Sequence, residues 1–386
     1  MKKILQILFR ILKKIFKFKK EYIVLQCHSL KLYCDNSKYL YEYLNKKGYQ
    51  NCYWNTSSNK ISNYLKKKNY KYINIKENFI KYFFITFKTK LVFDTGTKYF
   101  DPLGLISTDK EIVKICLYHG FGPKSVPYSG KNYKIKIEEI KNHQSFDYIN
   151  FSSQFLKKKF IKNFKLKKEN CINFGFPRID YLKSKTKDNN FKYLTGIKDK
   201  NPNIILYTPT WRPYYIDFPL NNMSGMNYYK FEKFLKDRNL YFFYSQHPMQ
   251  NFKNRPKNFS RIIFIDHLKH PFYDPSSFMK NVKILVNDYS ATSTEFSILK
   301  KPQLYFMPDF KKYNKYNGFL ENYKNNLIGF EIKNYKSFIF YIENCIKIKK
   351  FYLKKFDKKI LNYQKKYYEK PNINSCELLE KFIRKF

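Results

Sequence analysis

EYIVLQCHSL, residues 21–30, is an apolar stretch of strand length, and DNSKYLYEYLNKKGYQ, residues 35–50, follows it. The second stretch is typical of a helix that begins at polar residues able to accept hydrogen bonds from free amide groups. Short strands are predicted next at CYWNTS (52–57), YKYINI (70–75) and KLVFDTG (90–96). Strands that alternate with helices favour a largely parallel sheet covered on both faces. The sequence therefore predicts the α/β class.

The alternation begins again near residue 200. KDKNPN, residues 198–203, precedes the strongly apolar strand IILYTPT, residues 204–210, which puts a domain boundary between about residues 183 and 202. We predict two Rossmann-like domains that face one another across a cleft, with ligands held by the loops after the strands. The predicted division is residues 1–20 for an amphipathic helix, 21–190 and 200–333 for the two domains, and 334–386 for terminal helices.

The amino-terminal stretch MKKILQILFRILKKIFKFKK, residues 1–20, has apolar residues at helical spacing with Lys and Arg between them. Because Arg10, Lys13 and Lys14 interrupt the apolar run and no small-residue cleavage site follows, a secretory signal is not indicated. No later segment offers roughly 18 uncharged apolar residues. We expect a basic amphipathic helix that lies on an anionic membrane surface without spanning it. The alternative is a helix docked on the protein's own body.

The chain carries 76 Lys and Arg against 30 acidic residues, a formal charge of +46. Such an excess attracts polyanions, whether nucleic acid, anionic lipid or an anionic polymer. Part of it reflects general lysine usage, since Lys, Asn, Ile, Phe and Tyr are all abundant, as in proteins of AT-rich genomes. The seven cysteines are scattered without a CxxC pair, so neither a disulfide framework nor a zinc site is indicated and a reducing cytoplasm is expected.

The first polar cluster is YHGFGPK, residues 118–124, which follows an apolar run. His119 has the pKa range of a general base, Gly120 and Gly122 allow backbone amides to approach a phosphate, and Lys124 can neutralise its charge. A structural histidine is the alternative.

Three further clusters contain rare arginines or a second histidine after predicted strands. In NFGFPRID (173–180), Arg178 binds phosphate or pairs with Asp180. In YTPTWRP (207–213), the planar donors of Arg212 suit a diphosphate, beside the hydroxyl of Thr210. In YSQHP (244–248), Pro248 ends a strand and leaves His247 at its edge.

LVNDYSATSTE, residues 285–295, is the strongest cluster. An apolar strand ends at Asn287 and Asp288, and hydroxyl residues including Ser290 and Thr292 begin a helix that contains Glu295. Free amides at a helix start attract anions, although a plain helix cap has the same pattern. The chain has no GxxxxGK[ST], GxGxxG or HExxH motif and no Asp-x-Asp pair that suggests a metal-bound nucleotide, so kinase, dehydrogenase and metalloprotease activities lose support.

Together, these five clusters resemble the CDP-glycerol glycerophosphotransferase family of teichoic-acid and capsule polymerases and primases. The family's His-Gly-Thr-Pro-Leu-Lys stretch looks like residues 119–124, which match at the ends and differ in the middle. Its Gly-Tyr-Pro-Arg-x-Asp turn is similar to residues 175–180, and its Ala-Pro-Thr-Trp-Arg stretch to residues 208–212. Its Thr-Asp-Tyr-Ser-Ser segment, which ends in an acid, is similar to residues 287–295. The resemblance runs from about residue 21 to residue 332.

The resemblance implies a B-type glycosyltransferase architecture, with the acceptor held by residues 21–190 and the donor nucleotide mainly by residues 200–333. It implies that His119 deprotonates the acceptor hydroxyl for attack on the donor's β-phosphate, although His119 and His247 remain interchangeable as base and phosphate ligand. The residues implied on the donor diphosphate or nucleotide are Arg212, His247, Asp288, Ser290, Thr292 and Glu295. Those implied on the phosphate or acceptor side are Gly120, Gly122, Lys124, Arg178 and Thr210. Neither a metal nor another cofactor is implied.

The implied partners are CDP-glycerol or a related CDP-polyol, a lipid-linked polymer acceptor and the anionic cytoplasmic face of the bacterial cell membrane, where the enzyme would be peripheral. Two other functions remain open. A glycosyltransferase of the same fold would use a nucleotide sugar for capsule or lipopolysaccharide synthesis. A nucleic-acid-binding protein would explain the charge and the 20% aromatic residues, but no recognised binding module is present and no nucleic acid is expected as a partner.

Overall fold

The computed structural model describes residues 2–16, 18–99, 101–124, 137–186, 197, 202–214, 217–245, 247, 250, 252–265, 270–348, 350–369 and 373–386. Within these residues the chain forms two separate parallel sheets with helices around them. The predicted α/β class is confirmed. Residues 198–201, in the stretch used to predict the domain boundary, and Pro248 lie outside the described residues.

The first sheet is built before residue 173. Its strands are β1 (Tyr22–Leu25), β2 (Cys52–Thr56), β3 (Tyr72–Asn74), β4 (Thr89–Asp94), β5 (Val113–Cys116), β6 (Tyr148–Asn150) and β7 (Cys171–Ile172). They lie in the order β3-β2-β1-β4-β5-β6-β7, and every neighbouring pair is parallel. This order reverses direction between β1 and β4, and the crevice beyond the carboxyl ends at such a reversal is where ligands bind in open α/β sheets.

The second sheet repeats the same plan. Its strands are β8 (Asn203–Tyr207), β9 (Leu240–Ser245), β10 (Ile262–Ile265), β11 (Val282–Asn287), β12 (Gln303–Phe306) and β13 (Phe330–Ile332). The order is β10-β9-β8-β11-β12-β13, again all parallel. Residues 204–207 and 284–287 are buried on both faces, which explains why these segments are nearly continuous apolar runs. The order reverses between β8 and β11.

The helices cover both sheets. They are α1 (Lys2–Ile15), α2 (Asp35–Lys46), α3 (Asn59–Lys67), α4 (Phe79–Phe87), α5 (Leu105–Thr108), α6 (Ile137–Gln144), α7 (Gln154–Phe164), α8 (Pro177–Lys183), α9 (Tyr228–Asp237), α10 (Pro275–Met279), α11 (Thr292–Phe296), α12 (Phe310–Tyr316), α13 (Tyr335–Lys347), α14 (Phe351–Tyr368) and α15 (Ser375–Ile383). The last of these, α15, contacts α2 and α8 of the first sheet although it follows the second sheet in the chain. Glu380 there accepts hydrogen bonds from Tyr43 (2.7 Å) and Tyr49 (3.2 Å).

Helix α1 docks on the first sheet by one face. Phe9 is buried, with its ring centroid 4.2 Å from that of Phe87, and Lys13 pairs with Asp109 at 2.5 Å. The exposed large apolar side chains of this segment are Ile4, Ile7, Leu8, Ile11, Ile15 and Phe16. One face of α1 is therefore docked on the protein, as the alternative predicts. Contact of the other face with a membrane stays a prediction. Among the described residues, no helix is both long and apolar enough to cross a membrane.

Hydrogen bonds join the two halves of the protein directly. The backbone N–H of Tyr33, before α2, donates to the carbonyl of Pro271 at 2.7 Å, and that of Leu320 donates to the carbonyl of Pro123 at 3.0 Å. The loops after β1 and β5 consequently lie opposite the segments after β10 and β12, and Gly122, after β5, faces Ala291, after β11. We call the space between these two sets of loops the cleft.

Candidate active site

His119 follows β5 and lies at the cleft with one ring nitrogen fixed. Its Nδ1 is 3.1 Å from the carbonyl oxygen of Thr95, which follows β4. A carbonyl only accepts, so Nδ1 carries the hydrogen and Nε2 keeps its lone pair. No hydrogen bond from a described residue reaches Nε2, and the residue is exposed. This nitrogen is therefore available to accept a proton from a bound hydroxyl.

The surroundings of His119 keep its ring neutral. The ring reaches solvent, but the walls of the cleft desolvate it, which is the main reason that its pKa falls to about 4. Repulsion from His28 and Arg178 lowers the pKa further, while Asp35 and the Thr95 carbonyl act in the opposite direction. At neutral pH the imidazole is unprotonated, as a general base must be.

The two glycines of the first cluster allow close contact within the protein. Gly120 has φ +120°, and a Cβ there would lie 2.5 Å from Nη2 of Arg178 and 2.9 Å from Oε1 of Glu295. A Cβ on Gly122 would lie 2.8 Å from the Cα of Ala291, just before α11. The loop carrying His119 therefore rests on an ion pair and on the second half of the protein, and both glycines are needed for that approach.

Arg178 lies beneath this loop as a buried link between the two halves. Its guanidinium is 3.2 Å from Asp35 and 3.1 Å from Glu295. Asn36 adds a connection, because its Oδ1 accepts from the Arg178 N–H (3.2 Å) and its Nδ2 donates to the carbonyl of Tyr118 (2.8 Å). The predicted alternative of pairing between Arg178 and Asp180 is wrong. Asp180 instead accepts from the backbone N–H of Cys376 at 2.8 Å.

Arg212 is buried below the cleft and paired on several sides. Its Nε is 2.6 Å from Asp309, its Nη1 is 2.8 Å from Asp288, and Nη1 also donates to the carbonyl of Thr210 at 2.7 Å. Asp288 in turn accepts from the Thr210 N–H (2.9 Å) and hydroxyl (2.7 Å). The aromatic ring of Tyr289 lies 5.0 Å from the guanidinium carbon. In this arrangement Arg212 holds three loops together, and contact with a diphosphate stays a prediction.

Lys124 and the neutral imidazole of His247 lie at the same space. Lys124 is half-buried and forms an antiparallel bridge with Phe319 of the second half. Burial lowers its pKa, repulsion from Arg212 adds to this, and Asp288 opposes it. His247 is exposed, yet desolvation followed by repulsion from Lys124, His119 and His28 lowers its pKa to about 4. These electrostatic interactions show that residues of different clusters lie in one site.

Ser290 and Thr292 lie where α11 begins. Their hydroxyl oxygens are 3.0 Å apart, and both residues are half-buried. The predicted helix is interrupted early, because α11 has only five residues before a 3₁₀ turn at Ser297–Leu299. The hydroxyls remain available at the cleft, whereas Glu295 points to Arg178 and Ser276 instead.

Four residues of the site were missed by sequence reasoning: His28, Asp35, Thr95 and Asp309. His28 and Thr95 follow β1 and β4, so the rule that ligands bind beyond strand carboxyl ends could have found them. Asp309 likewise follows β12 in the stretch YFMPDF. Within the described residues, no group of three or more His, Cys, Asp and Glu side chains could hold a metal ion.

Comparisons with known proteins identify the family of the chain. The model of the family "CDP-Glycerol:Poly(glycerophosphate) glycerophosphotransferase" matches residues 7–376. A teichoic acid glycerol-phosphate primase of Bacillus subtilis is 26% identical over 268 residues, which cover 65% of this chain and 64% of the primase. A teichoic acid glycerol-phosphate transferase of Staphylococcus aureus is 24% identical over 336 residues, 80% of each chain. This chain thus spans just under two thirds of the length of the first of these relatives.

Solved structures share the fold. The wall teichoic acid polymerase TagF superposes with a TM-score of 0.74 at 19% identity, covering 98% of this chain and 92% of that one. A UDP-GlcNAc 2-epimerase from Neisseria meningitidis gives a TM-score of 0.50 at 13% identity, covering 94% and 100%. At such identities the likeness concerns the fold alone. The family model, by contrast, spans nearly the whole chain, and the protein belongs to the CDP-glycerol:poly(glycerophosphate) glycerophosphotransferase family, which confirms the resemblance seen in its sequence.

Proposed function

We propose that this chain transfers a glycerol-phosphate-type unit from a CDP-activated donor to a hydroxyl of a lipid-linked cell-surface polymer and releases CMP. One observation carries the proposal. The imidazole of His119, whose Nε2 has no hydrogen-bond partner among the described residues, shares a cleft with Lys124, His247 and the hydroxyls of Ser290 and Thr292, between two Rossmann-ordered sheets. Phosphoryl transfer needs little else, because it depends mainly on positioning and electrostatic stabilisation.

In this mechanism His119 is the base. The acceptor hydroxyl gives its proton to Nε2 and attacks the β-phosphorus, and the bond from that phosphorus to the CMP oxygen breaks. The fixed Nδ1 suits His119 to this role, since a base must be oriented as well as neutral. The pKa of His119 in the protein alone is about 4, and the negative charge of a bound donor raises it towards a more effective value.

A lysine, a neutral imidazole and two hydroxyl groups stabilise the diphosphate as CMP leaves. Lys124 and His247 are suited to the phosphate oxygens, and Ser290 and Thr292 can donate from the start of α11. Arg212 and Asp288 act from below as positioning residues, because their hydrogen bonds fix the loop that contains Thr210. We assign the acceptor to residues 21–190 and the donor nucleotide to residues 200–333, with the two Rossmann-like halves in a B-type glycosyltransferase arrangement.

Release of CMP tests the activity. Wild-type protein, His119→Asn and the control His143→Asn are incubated with CDP-glycerol and a lipid-linked acceptor extract, and CMP is quantified. His143 is buried on α6, and its Nδ1 is hydrogen-bonded to the Glu139 carbonyl. It is a matched control because its imidazole is held like that of His119 but lies outside the cleft. We expect a loss of about 10²- to 10⁴-fold only for His119→Asn. No CMP from the wild type, with turnover of a nucleotide sugar instead, would reject the polyol-phosphate donor.

We further propose that α1 holds the enzyme at the cytoplasmic face of the membrane as a peripheral protein. Its exposed face combines Ile4, Ile7 and Ile11 with neighbouring lysines, the composition of an interfacial helix. Pelleting with vesicles of phosphatidylglycerol and phosphatidylcholine tests it. Replacing these three residues by Gln should abolish pelleting, whereas Phe340→Gln with Ile346→Gln, at two exposed apolar side chains of α13, should not. Equal pelleting of both variants would exclude α1 as the anchor.

A further inference from the structure

His28 is an imidazole at the cleft that the proposed mechanism does not use. It lies three residues after β1, beside the point at which the strand order of the first sheet reverses. Its backbone N–H donates to the hydroxyl of Thr95 at 3.2 Å, and the carbonyl of the same threonine holds His119 at 3.1 Å. One residue after β4 therefore fixes both histidines relative to each other.

The two rings form a pair with similar accessibility. Their centroids are 6.3 Å apart with an interplanar angle of 55°, and both residues are exposed. The Nδ1 of His28 is 3.1 Å from the sulfur of Cys27, just as the Nδ1 of His119 is held by Thr95. No hydrogen bond from a described residue reaches the Nε2 of either ring. Two ring nitrogens thus remain open within reach of one small ligand.

The charges of the two rings differ. Desolvation alone lowers the pKa of His28, but the charge and hydrogen bond of Cys27 outweigh it, and Asp35 and Asp94 add to the rise. Cys27 can carry that charge because the Cys34 thiol, 3.3 Å away, and His28 together lower its pKa despite burial. His119 and His247, which His28 repels, both have lowered pKa values. At neutral pH a cationic ring therefore stands beside a neutral base.

On the basis of the proposed function, we infer that His28 binds the phosphate of an acceptor that ends in a polyol phosphate and thereby directs the terminal hydroxyl to His119. The hydroxyl and the phosphate of one such unit are separated by a short carbon chain, which suits two rings 6.3 Å apart. A charged donor is the appropriate partner for a phosphate oxygen. His28 is thus a specificity-determining residue that favours phosphate-bearing chain ends over neutral alcohols.

Two synthetic acceptors separate this role from a structural one. An alkyl phosphoglycerol and the matching alkyl glyceryl ether offer the same terminal hydroxyls, with and without a phosphate. We expect His28→Asn to lower kcat/KM for the phosphoglycerol by about 10- to 100-fold, to change that for the ether by less than about threefold, and to leave the KM for CDP-glycerol unchanged. His28→Lys should restore the preference because it returns a cation.

The alternative outcomes are distinct. An equal loss with both acceptors, or an unchanged preference in His28→Asn, would overturn the inference. Failure of His28→Lys to recover any preference for the phosphoglycerol while ether turnover is retained would overturn it as well. Absence of CMP release from CDP-glycerol by the wild type with either acceptor would instead reject the proposed function, so the two failures can be told apart.

Discussion

Replacing Arg178 should affect stability far more than replacing its partner Glu295. The side chains of Arg178, Glu295 and Asp35 are each 6–7% exposed. Arg178 is 3.2 Å from Asp35 and 3.1 Å from Glu295. Asp274 also interacts electrostatically with both Arg178 and Glu295. One guanidinium thus serves several carboxyl groups. Arg178→Met leaves buried carboxylates without their cation, at a cost of about 3–5 kcal/mol in the free energy of unfolding.

Glu295→Gln should cost less than about 1 kcal/mol at pH 8, because Asp35 still pairs with Arg178. The distance alone suggests a stabilising ion pair, but the pKa of Glu295 indicates otherwise. Burial, with the charges of Asp35 and Asp274, raises that pKa from 4.5 to about 7 despite Arg178. The raised pKa agrees with the geometry, because the cluster holds more carboxyl groups than guanidinium groups.

The pH dependence has a definite sign. A carboxyl group with a raised pKa binds its proton more tightly when folded, so its contribution to the free energy of unfolding is fully present below about pH 4.5 and is lost as the pH rises through 7. The loss is on the order of 3 kcal/mol. His119 and His247 titrate in both proteins, so the difference in stability between wild type and Glu295→Gln isolates Glu295.

Urea unfolding at pH 5 and pH 8 measures these values. We expect Glu295→Gln to gain stability relative to the wild type between pH 5 and pH 8. The reasoning would be refuted if Glu295→Gln were as unstable at pH 8 as Arg178→Met. Refutation would also require that the difference in free energy of unfolding between wild type and Glu295→Gln stay the same at pH 5 and pH 8.

Three further predictions concern the cleft. Gly122→Ala should lower the free energy of unfolding by about 1–3 kcal/mol, since its Cβ would lie 2.8 Å from the Cα of Ala291; unchanged urea unfolding would contradict it. Arg212→Lys should cost about 3–5 kcal/mol in the same assay, because a lysine cannot keep the two contacts with Asp309 (2.6 and 3.1 Å), and full stability would speak against a positioning role. Because His119 must be neutral and its pKa is about 4, kcat/KM should stay flat from pH 7 to pH 5 and fall only as the pH approaches 4. A fall in the wild-type pH profile of kcat/KM near pH 6.5, absent from the profile of His119→Asn, would be inconsistent with the lowered pKa.

The convergence of the five clusters was predictable from sequence for a local reason. Each cluster follows or flanks an apolar run, and parallel strands in Rossmann order bring their carboxyl ends to one edge. Knowing that a segment is a strand therefore fixes the position of the loop after it. The resemblance to the family rested on the same residues, and it led to the same site.

Parts of the fold had no such signal. Strands β6 and β7 have three and two residues, too few for a hydrophobic pattern to distinguish them from loops. The return of α15 to the first sheet depends on side chains such as Glu380 that pair with tyrosines more than 300 positions away in the chain. Lengths and periodicity carry no information about such contacts.

The two buried arginines contact partners that the sequence pattern alone does not predict. The chain has only seven arginines among 76 basic residues, and two of them, Arg178 and Arg212, are buried. Their scarcity marked both positions, but it suggested phosphate as the partner, whereas in the structure both guanidinium groups contact carboxylates from distant loops. A guanidinium stays charged when buried and pairs in two directions, whereas a lysine loses its proton more readily. Arginine is therefore better suited to the buried framework, and the groups that contact the donor phosphates are to be sought among Lys124 and the imidazoles of the cleft.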